Sequence, residues 1–256
     1  MKIFAHRGYS NIYPENTMLA FKEALKFDID GIELDIHLTK DNVPVIFHDE
    51  KLKRMTKQEG CISDYTLCEL KQFKVIKNEY MDEIPTLLEY LDFIKDKNIL
   101  TNIEFKTNIK YYNNIENIVF KILDEFNIYD KLIFSSFNHI CAKKIIDILK
   151  EKNLYNISPV GFLTQDWFIS PEKYCLENEA KYFNPKFNCV TKDLVENLHK
   201  NNIKIATFTV NDYKKLLELQ RYNVDIIFTN HCEFVDRMRD ENEKYLCWNW
   251  YFSYKK

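Results

Sequence analysis

The chain has 256 residues, 46% hydrophobic and 15% aromatic, with 36 basic against 39 acidic side chains and a formal charge of −3. That much apolar surface excludes a disordered chain, and the balanced charge excludes a nucleic-acid binder that relies on clustered cations. No apolar run of about 18 residues is present to span a bilayer. Met1 to Ala5 lack the basic start and apolar stretch of a secretion signal, and seven cysteines without a C-x-x-C pair read as reduced thiols of a cytoplasmic protein.

Apolar, β-rich segments alternate with stretches of helical periodicity, the pattern of parallel βα units. Strands are expected near 2–6, 31–37, 43–48, 99–106, 131–136, 158–163, 180–184, 203–209 and 225–229. The first ends on His6, with Arg7 beside it and Gly8 permitting a sharp turn. Asn16 is expected to cap a helix whose inner face is Met18, Phe21 and Leu25. Between Ile36 and Val43 lie too few residues for a parallel crossover, so 43–48 must fold back as an antiparallel arm. With a turn near Asp41, paired positions sum to 81 or 82, and His48 returns beside Glu33.

Segment 50–83 departs furthest from the pattern. It reads as an insertion with one short helix near 66–73, in which Leu52, Tyr65, Leu67 and Leu70 either shield a site or pack under a loop. Thr86 and Glu89 form a capping box, and further helices are expected near 114–126, 139–151, 191–200, 212–221 and 232–239. Setting the arm aside leaves eight strands, the number that closes a (β/α)8 TIM barrel, read as a single domain over 1–256. With only four glycines, tight turns must fall to Asn. The aromatic tail from Tyr245 to Lys256 reads as packing on the barrel or at a homodimer contact, with a membrane surface as the alternative.

Glu33 and Asp35 are two apart in a strand, so both leave one face at the end where barrel active sites sit. Glu104 and Lys106 repeat the spacing. Converging carboxylates resist ionisation unless a cation lies between them, and their hard oxygens favour Mg²⁺ or Ca²⁺, with Mn²⁺ a further candidate, over Zn²⁺. His6 and His48 reach the same rim as candidate acid and base groups. His37, His139, His199 and His231 read as structural, with His37 directed to the barrel exterior.

HRGYSNIYPENTMLAF at 6–21, GIELDIHLTKDNVPVIFHD at 31–49 and NIEFK at 102–106 together resemble the glycerophosphodiester phosphodiesterase family. The likeness continues through LKRMT at 52–56, DYTLCEL at 64–70, IPTLLEYL at 84–91, SSF at 135–137, TFTVN at 207–211 and IIFTN at 226–230. The resemblance implies a barrel with an insertion, metal-binding carboxylates at Glu33, Asp35 and Glu104, acid and base histidines at His6 and His48, and phosphate-binding groups at Arg7 and Lys106. It implies one divalent cation and a small glycerophosphodiester substrate. Phe208 stands where the family usually has tryptophan, keeping an apolar substrate wall, and Asn230 where it usually has aspartate. Rival readings are a related barrel phospholipase acting on lysophospholipids or phosphoinositides, and a silent phosphodiester-binding barrel. Loss of His6, His48 or Glu104 would favour the silent barrel, and all are present.

Overall fold

A computed structural model describes residues 1–238. The strands are β1 (Lys2–His6), β2 (Gly31–Leu38), β3 (Pro44–Ile46), β4 (Lys74–Lys77), β5 (Tyr80–Glu83), β6 (Leu100–Phe105), β7 (Leu132–Ser136), β8 (Val160–Thr164), β9 (Tyr182–Pro185), β10 (Lys204–Thr207) and β11 (Ile226–Thr229). The helices are α1 (Met18–Ala24), α2 (Lys53–Thr56), α3 (Leu67–Leu70), α4 (Leu87–Ile94), α5 (Ile115–Leu123), α6 (His139–Glu151), α7 (Pro171–Asn178), α8 (Lys192–Lys200) and α9 (Tyr213–Arg221).

β1, β2 and β6 to β11 pair in parallel in that order, and β1 pairs with both β2 and β11, which closes the eight-stranded barrel. β3 pairs antiparallel with β2 at Ile36 to Ile46, His37 to Val45 and Leu38 to Pro44, so each pair sums to 82 as the turn near Asp41 predicts. Parallel neighbours hydrogen-bond all around the barrel, leaving β3 as the short outer edge.

The apolar residues divide by face. Most fill the layer between strands and helices, where Phe21, Tyr90, Phe105, Phe120 and Phe134 are fully or almost fully buried. A second group, Phe4, Ile133, Tyr182, Ala206, Ile226 and Phe228, forms the floor inside the barrel. A third lies under the insertion, where Leu52 and Leu70 join Val45, Phe47 and Val75, with Tyr65 and Leu67 against them. Those insertion residues therefore pack beneath the loop.

Some local expectations are corrected. Thr17, not Asn16, caps α1 by accepting from the Ala20 amide, while Asn16 adopts a left-handed φ of 57° and turns its amide inward. The insertion holds an antiparallel pair, β4 and β5, besides its short helices, and α7 fills the crossover between β8 and β9. Asn supplies eight of the eleven left-handed non-glycine residues among those described, as glycine scarcity requires. The six described cysteines are unbridged, and no helix among the described residues is long and apolar enough to cross a membrane. The aromatic tail at 245–256 lies outside the described residues.

Gly31 faces the barrel interior against the Phe4 ring, and a Cβ there would lie 2.5 Å from a ring carbon. Overpacking of this kind costs about 1–3 kcal/mol. Gly31→Ala is expected to lower the denaturation midpoint accordingly, and an unchanged midpoint in a urea titration would show that the floor repacks freely.

Candidate functional site

β2 and β6 are neighbours in register, with Asp35 opposite Glu104 and Glu33 opposite Asn102. Strand alternation then aims Glu33, Asp35 and Glu104 into the barrel mouth. All three are buried, and each offers a carboxylate oxygen within 4.8 Å of the others. Glu33 and Glu104 border a cavity of about 800 Å³ that His6, Arg7, His48 and Lys106 also line, with Asp35 buried directly behind them. The structure thus brings together every residue singled out from the sequence, Phe208 included.

Two cations are built into this acidic cluster. Lys106 Nζ lies 2.8 Å from Glu104 and 3.6 Å from Asp35. Arg7 has a left-handed φ of 59°, which lets its amide donate to Glu33 Oε2 while its Nε sits 3.2 Å from Asp35. Asn16 completes the cradle, donating from Nδ2 to Asp35 Oδ2 at 2.8 Å. Burial opposes ionisation of Asp35, but Arg7 and Lys106 outweigh it and hold its carboxyl well below the usual range. Burial, then Asp35 and Glu104, push Glu33 well above its usual value. Burial also raises Glu104 despite Lys106 beside it.

Both candidate histidines are held by Nδ1. His6 Nδ1 lies 2.7 Å from Asn230 Oδ1, which can only accept, so the proton sits on Nδ1 and the Nε2 lone pair faces Glu33 at 3.9 Å. Burial, with Arg7 adding to it, drives the His6 pKa down to about 3. His48 Nδ1 donates to Asp49 Oδ1 at 2.6 Å. Arg54, from α2, grips Asp49 through Nε at 2.6 Å and Glu15 through Nη2 at 2.6 Å, and Glu15 receives Arg7 Nη1 at 2.9 Å. A chain of alternating charge therefore runs from Asp49 through Arg54 and Glu15 to Arg7.

His37 corrects its expected placement. Positions 33, 35 and 37 share one face of a strand, and His37 is buried, lining the cavity. Its Nε2 donates to the His48 carbonyl at 3.0 Å and its Nδ1 accepts from the Tyr112 hydroxyl at 2.8 Å. Burial lowers its pKa to about 4, so it acts as a neutral brace on the His48 backbone. Glu15, Asn16, Asp49, Arg54 and Asn230 escape sequence reasoning as members of the site. The only signal was their place inside the quoted motifs, since the contacts that join them to the site include partners as far apart as Arg54 and Glu15 or His6 and Asn230.

The cluster fits a divalent cation. Glu33 Oε1 and Asp35 Oδ1 are buried and accept no hydrogen bond, and hard oxygens are the donors such an ion prefers.

The model described as the glycerophosphoryl diester phosphodiesterase family matches residues 6–234. A glycerophosphodiester phosphodiesterase from Bacillus altitudinis is 37% identical, covering 94% of this chain and 98% of its own length. One from Caldanaerobacter subterraneus is 36% identical, covering 90% and 94%. Among solved structures, an Oleispira antarctica phosphodiesterase in complex with the product sn-glycerol-3-phosphate superposes with a TM-score of 0.81 at 26% identity, covering 94% of this chain and 97% of its own. A chain from Silicibacter pomeroyi shares the fold with a TM-score of 0.86 at 19% identity, covering 95% and 94%.

A pH test follows from the carboxylates. Glu33 and Glu104 have raised folded pKa values, so the stability they leave intact at low pH is lost as pH climbs from the ordinary 4.5 through the raised values. Asp35 contributes the other way, but only as pH falls below its ordinary 3.8. The lowered His6 and His37 work against this below their ordinary 6.5, so without divalent cations the melting temperature should decline as pH rises above about 6.5. The gain on adding Mg²⁺ or Ca²⁺ should grow with pH, because the ion displaces a proton. A cation-induced gain that is flat with pH in thermal scans with and without chelator would contradict this.

Proposed function

This chain belongs to the glycerophosphoryl diester phosphodiesterase family, and we propose that it hydrolyses glycerophosphodiesters to sn-glycerol 3-phosphate and an alcohol by metal-dependent histidine acid–base catalysis. The carrying observation is the convergence of three carboxylates, two Nδ1-anchored imidazoles and two cations in one cavity. The product bound to the Oleispira antarctica relative supports the same substrate class.

Glu33, Asp35 and Glu104 would hold one divalent cation, Mg²⁺ or Ca²⁺ with Mn²⁺ also suited to oxygen donors. Bound there, the ion offsets the negative charge that makes a phosphodiester resist nucleophiles. Arg7 presents a guanidinium fork to the phosphate oxygens, and Lys106 adds a point charge. His6, neutral with its Nε2 lone pair facing the site, takes the proton from the attacking hydroxyl, whether water or the substrate's own 2-hydroxyl. As the new P–O bond forms, the P–O bond to the alcohol breaks, and His48 delivers a proton from Nε2 to the departing alkoxide; where the 2-hydroxyl attacks, the cyclic phosphate it forms is then opened by water, with His48 taking the water proton and His6 returning one to the 2-oxygen. Asn230 and Asp49 fix the two rings through their Nδ1 atoms. Phe208, stacked edge-on against Phe137 at 5.5 Å, is the wall that borders the substrate.

Each proton transfer contributes roughly 10²–10⁴ in rate. His6→Ala and His48→Ala should each lose about that much kcat on glycerophosphocholine while keeping the wild-type circular dichroism spectrum, and near-normal turnover in both would refute the assignment. Release of glycerol 3-phosphate should also stop with chelator and return with added cation.

Arg54 makes a milder test. Arg54→Ala removes the grip on Asp49 and Glu15 but leaves the His48–Asp49 hydrogen bond. It should cost about tenfold in kcat, in the range expected for a lost supporting contact, with Arg54→Lys recovering part of it. Equal losses in both variants would show that the fork geometry, not the charge, matters.

A further inference from the structure

The lysines and arginines that line the cavity are of two kinds. Arg7 and Lys106 are locked into the carboxylate cluster, 3.2 Å from Asp35 and 2.8 Å from Glu104. Lys51 and Lys186 make no ion pair and no hydrogen bond through their ammonium groups among the described residues. Lys51 is exposed on the rim next to Glu50, whereas Lys186 is partly buried directly after β9. The fold fixes the Lys186 backbone from both sides. Its amide donates to the Thr164 carbonyl at 2.9 Å, and it bridges in parallel to Phe208, whose carbonyl accepts from the Phe187 amide at 2.9 Å.

The acids nearby are committed elsewhere. Asp166, Glu172 and Asp193 border a separate groove with Trp167, Phe168 and Cys189, and Lys186 does not line it. Asp166 shares the neighbourhood of Cys189 with Lys186 but forms no ion pair with it. Within the cavity, Glu33 and Glu104 belong to the cluster that Asp35 completes, Asp49 is held by His48 and Arg54, and Glu50 accepts from the Lys110 amide at 2.6 Å. Among the described residues, Lys186 is therefore the only charged residue lining the cavity on the side from β7 to β11.

A cation set on an apolar wall attracts an anion more strongly than it would in open water. With the phosphate held beside β1, β2 and β6, the groups esterified to it extend across the cavity to the wall where Lys186 stands. That wall is poorly suited to a cationic head group, although aromatic faces bind cations. Lys106 already lies over the Phe137 ring at 5.7 Å, Phe208 meets that ring edge-on, and Lys186 adds a like charge beside Phe208.

We propose that Lys186 selects glycerophosphodiesters whose alcohol carries an anion of its own, by pairing with that second charge. The inference rests on the hydrolytic reading of the cavity and deepens it. Two compounds test it: glycerophosphoglycerol, whose attached alcohol is neutral, and the same compound with a second glycerophosphate on the far hydroxyl of that alcohol. Values of kcat/KM are measured at low ionic strength for wild type, Lys186→Gln and Lys51→Gln. Wild type should favour the doubly charged compound by more than its two equivalent scissile bonds account for. Lys186→Gln should lose about tenfold on that compound, chiefly through KM, as expected for one lost charge-assisted hydrogen bond, and stay within about twofold on glycerophosphoglycerol. Lys51→Gln should keep the wild-type ratio.

No preference in wild type, or a ratio unchanged in Lys186→Gln, overturns the proposal. So does an equal loss in Lys51→Gln, which would assign the effect to the net charge of the cavity. If neither compound is hydrolysed, the hydrolytic reading falls, and Kd values from calorimetry with Ca²⁺ on the same proteins decide the role of Lys186. Weaker binding of the doubly charged compound alone in Lys186→Gln upholds it, and equal binding by wild type and variant ends it.

Discussion

Three carboxylates buried within 4.8 Å of one another are the constraint around which the rest of the barrel mouth is arranged. Buried like charges at that range cannot all ionise unless cations meet them. Arg7 and Lys106 answer two of the three, and the remainder leaves Glu33 holding a proton or awaiting a metal. The left-handed backbone at Arg7 follows from the same need. It is the conformation that lets one residue give its amide to Glu33 and its guanidinium to Asp35. Sparsely populated backbone of this kind survives only where the surroundings over-determine it, and the two contacts do so here.

That electrostatic cluster also explains why the insertion belongs to the site rather than beside it. α2 supplies Arg54, whose charge is shared between Glu15 and Asp49. Glu15 in turn supports Arg7, and Asp49 orients His48. The small apolar cluster under the insertion packs Val45 and Phe47 of the β3 arm against Leu52 and Leu70. One hydrophobic patch thus fixes both the arm that carries His48 and the helix that carries Arg54. His37 adds a third restraint by holding the His48 carbonyl from within the barrel.

Much of this was legible from spacing alone. The period of two in GIELDIH and NIEFK placed the carboxylates, and the short link at Lys40 to Asn42 forced β3 to run antiparallel and return His48. The same period, applied one step further, puts His37 on the inner face with Asp35. Asn16 and Thr17 are both good caps by type, and only the demand of Asp35 for a donor decides which one caps α1. β4 and β5 were hidden because their alternation is weak and mostly solvent-facing. The charge chain through Glu15, Arg54 and Asp49 joins residues up to 39 positions apart, a closeness that no local pattern encodes.

The barrel separates its polar and apolar tasks by which strands supply them. β1, β2 and β6 bring the charged groups to the mouth, with Asn102 donating to Ser135 below them as a polar layer over the apolar floor. From β7 onward the strand ends and the loops after them bring Phe137, Leu163, Phe187 and Phe208 to the opposite wall. A charged phosphodiester is drawn to the first side, and whatever its ester oxygen carries must lie along the second. Selection of the phosphate and selection of the attached group can therefore vary independently. Substitutions on the loops after β7, β8 and β10 would alter what the cavity admits without disturbing the carboxylates that β2 and β6 hold in register.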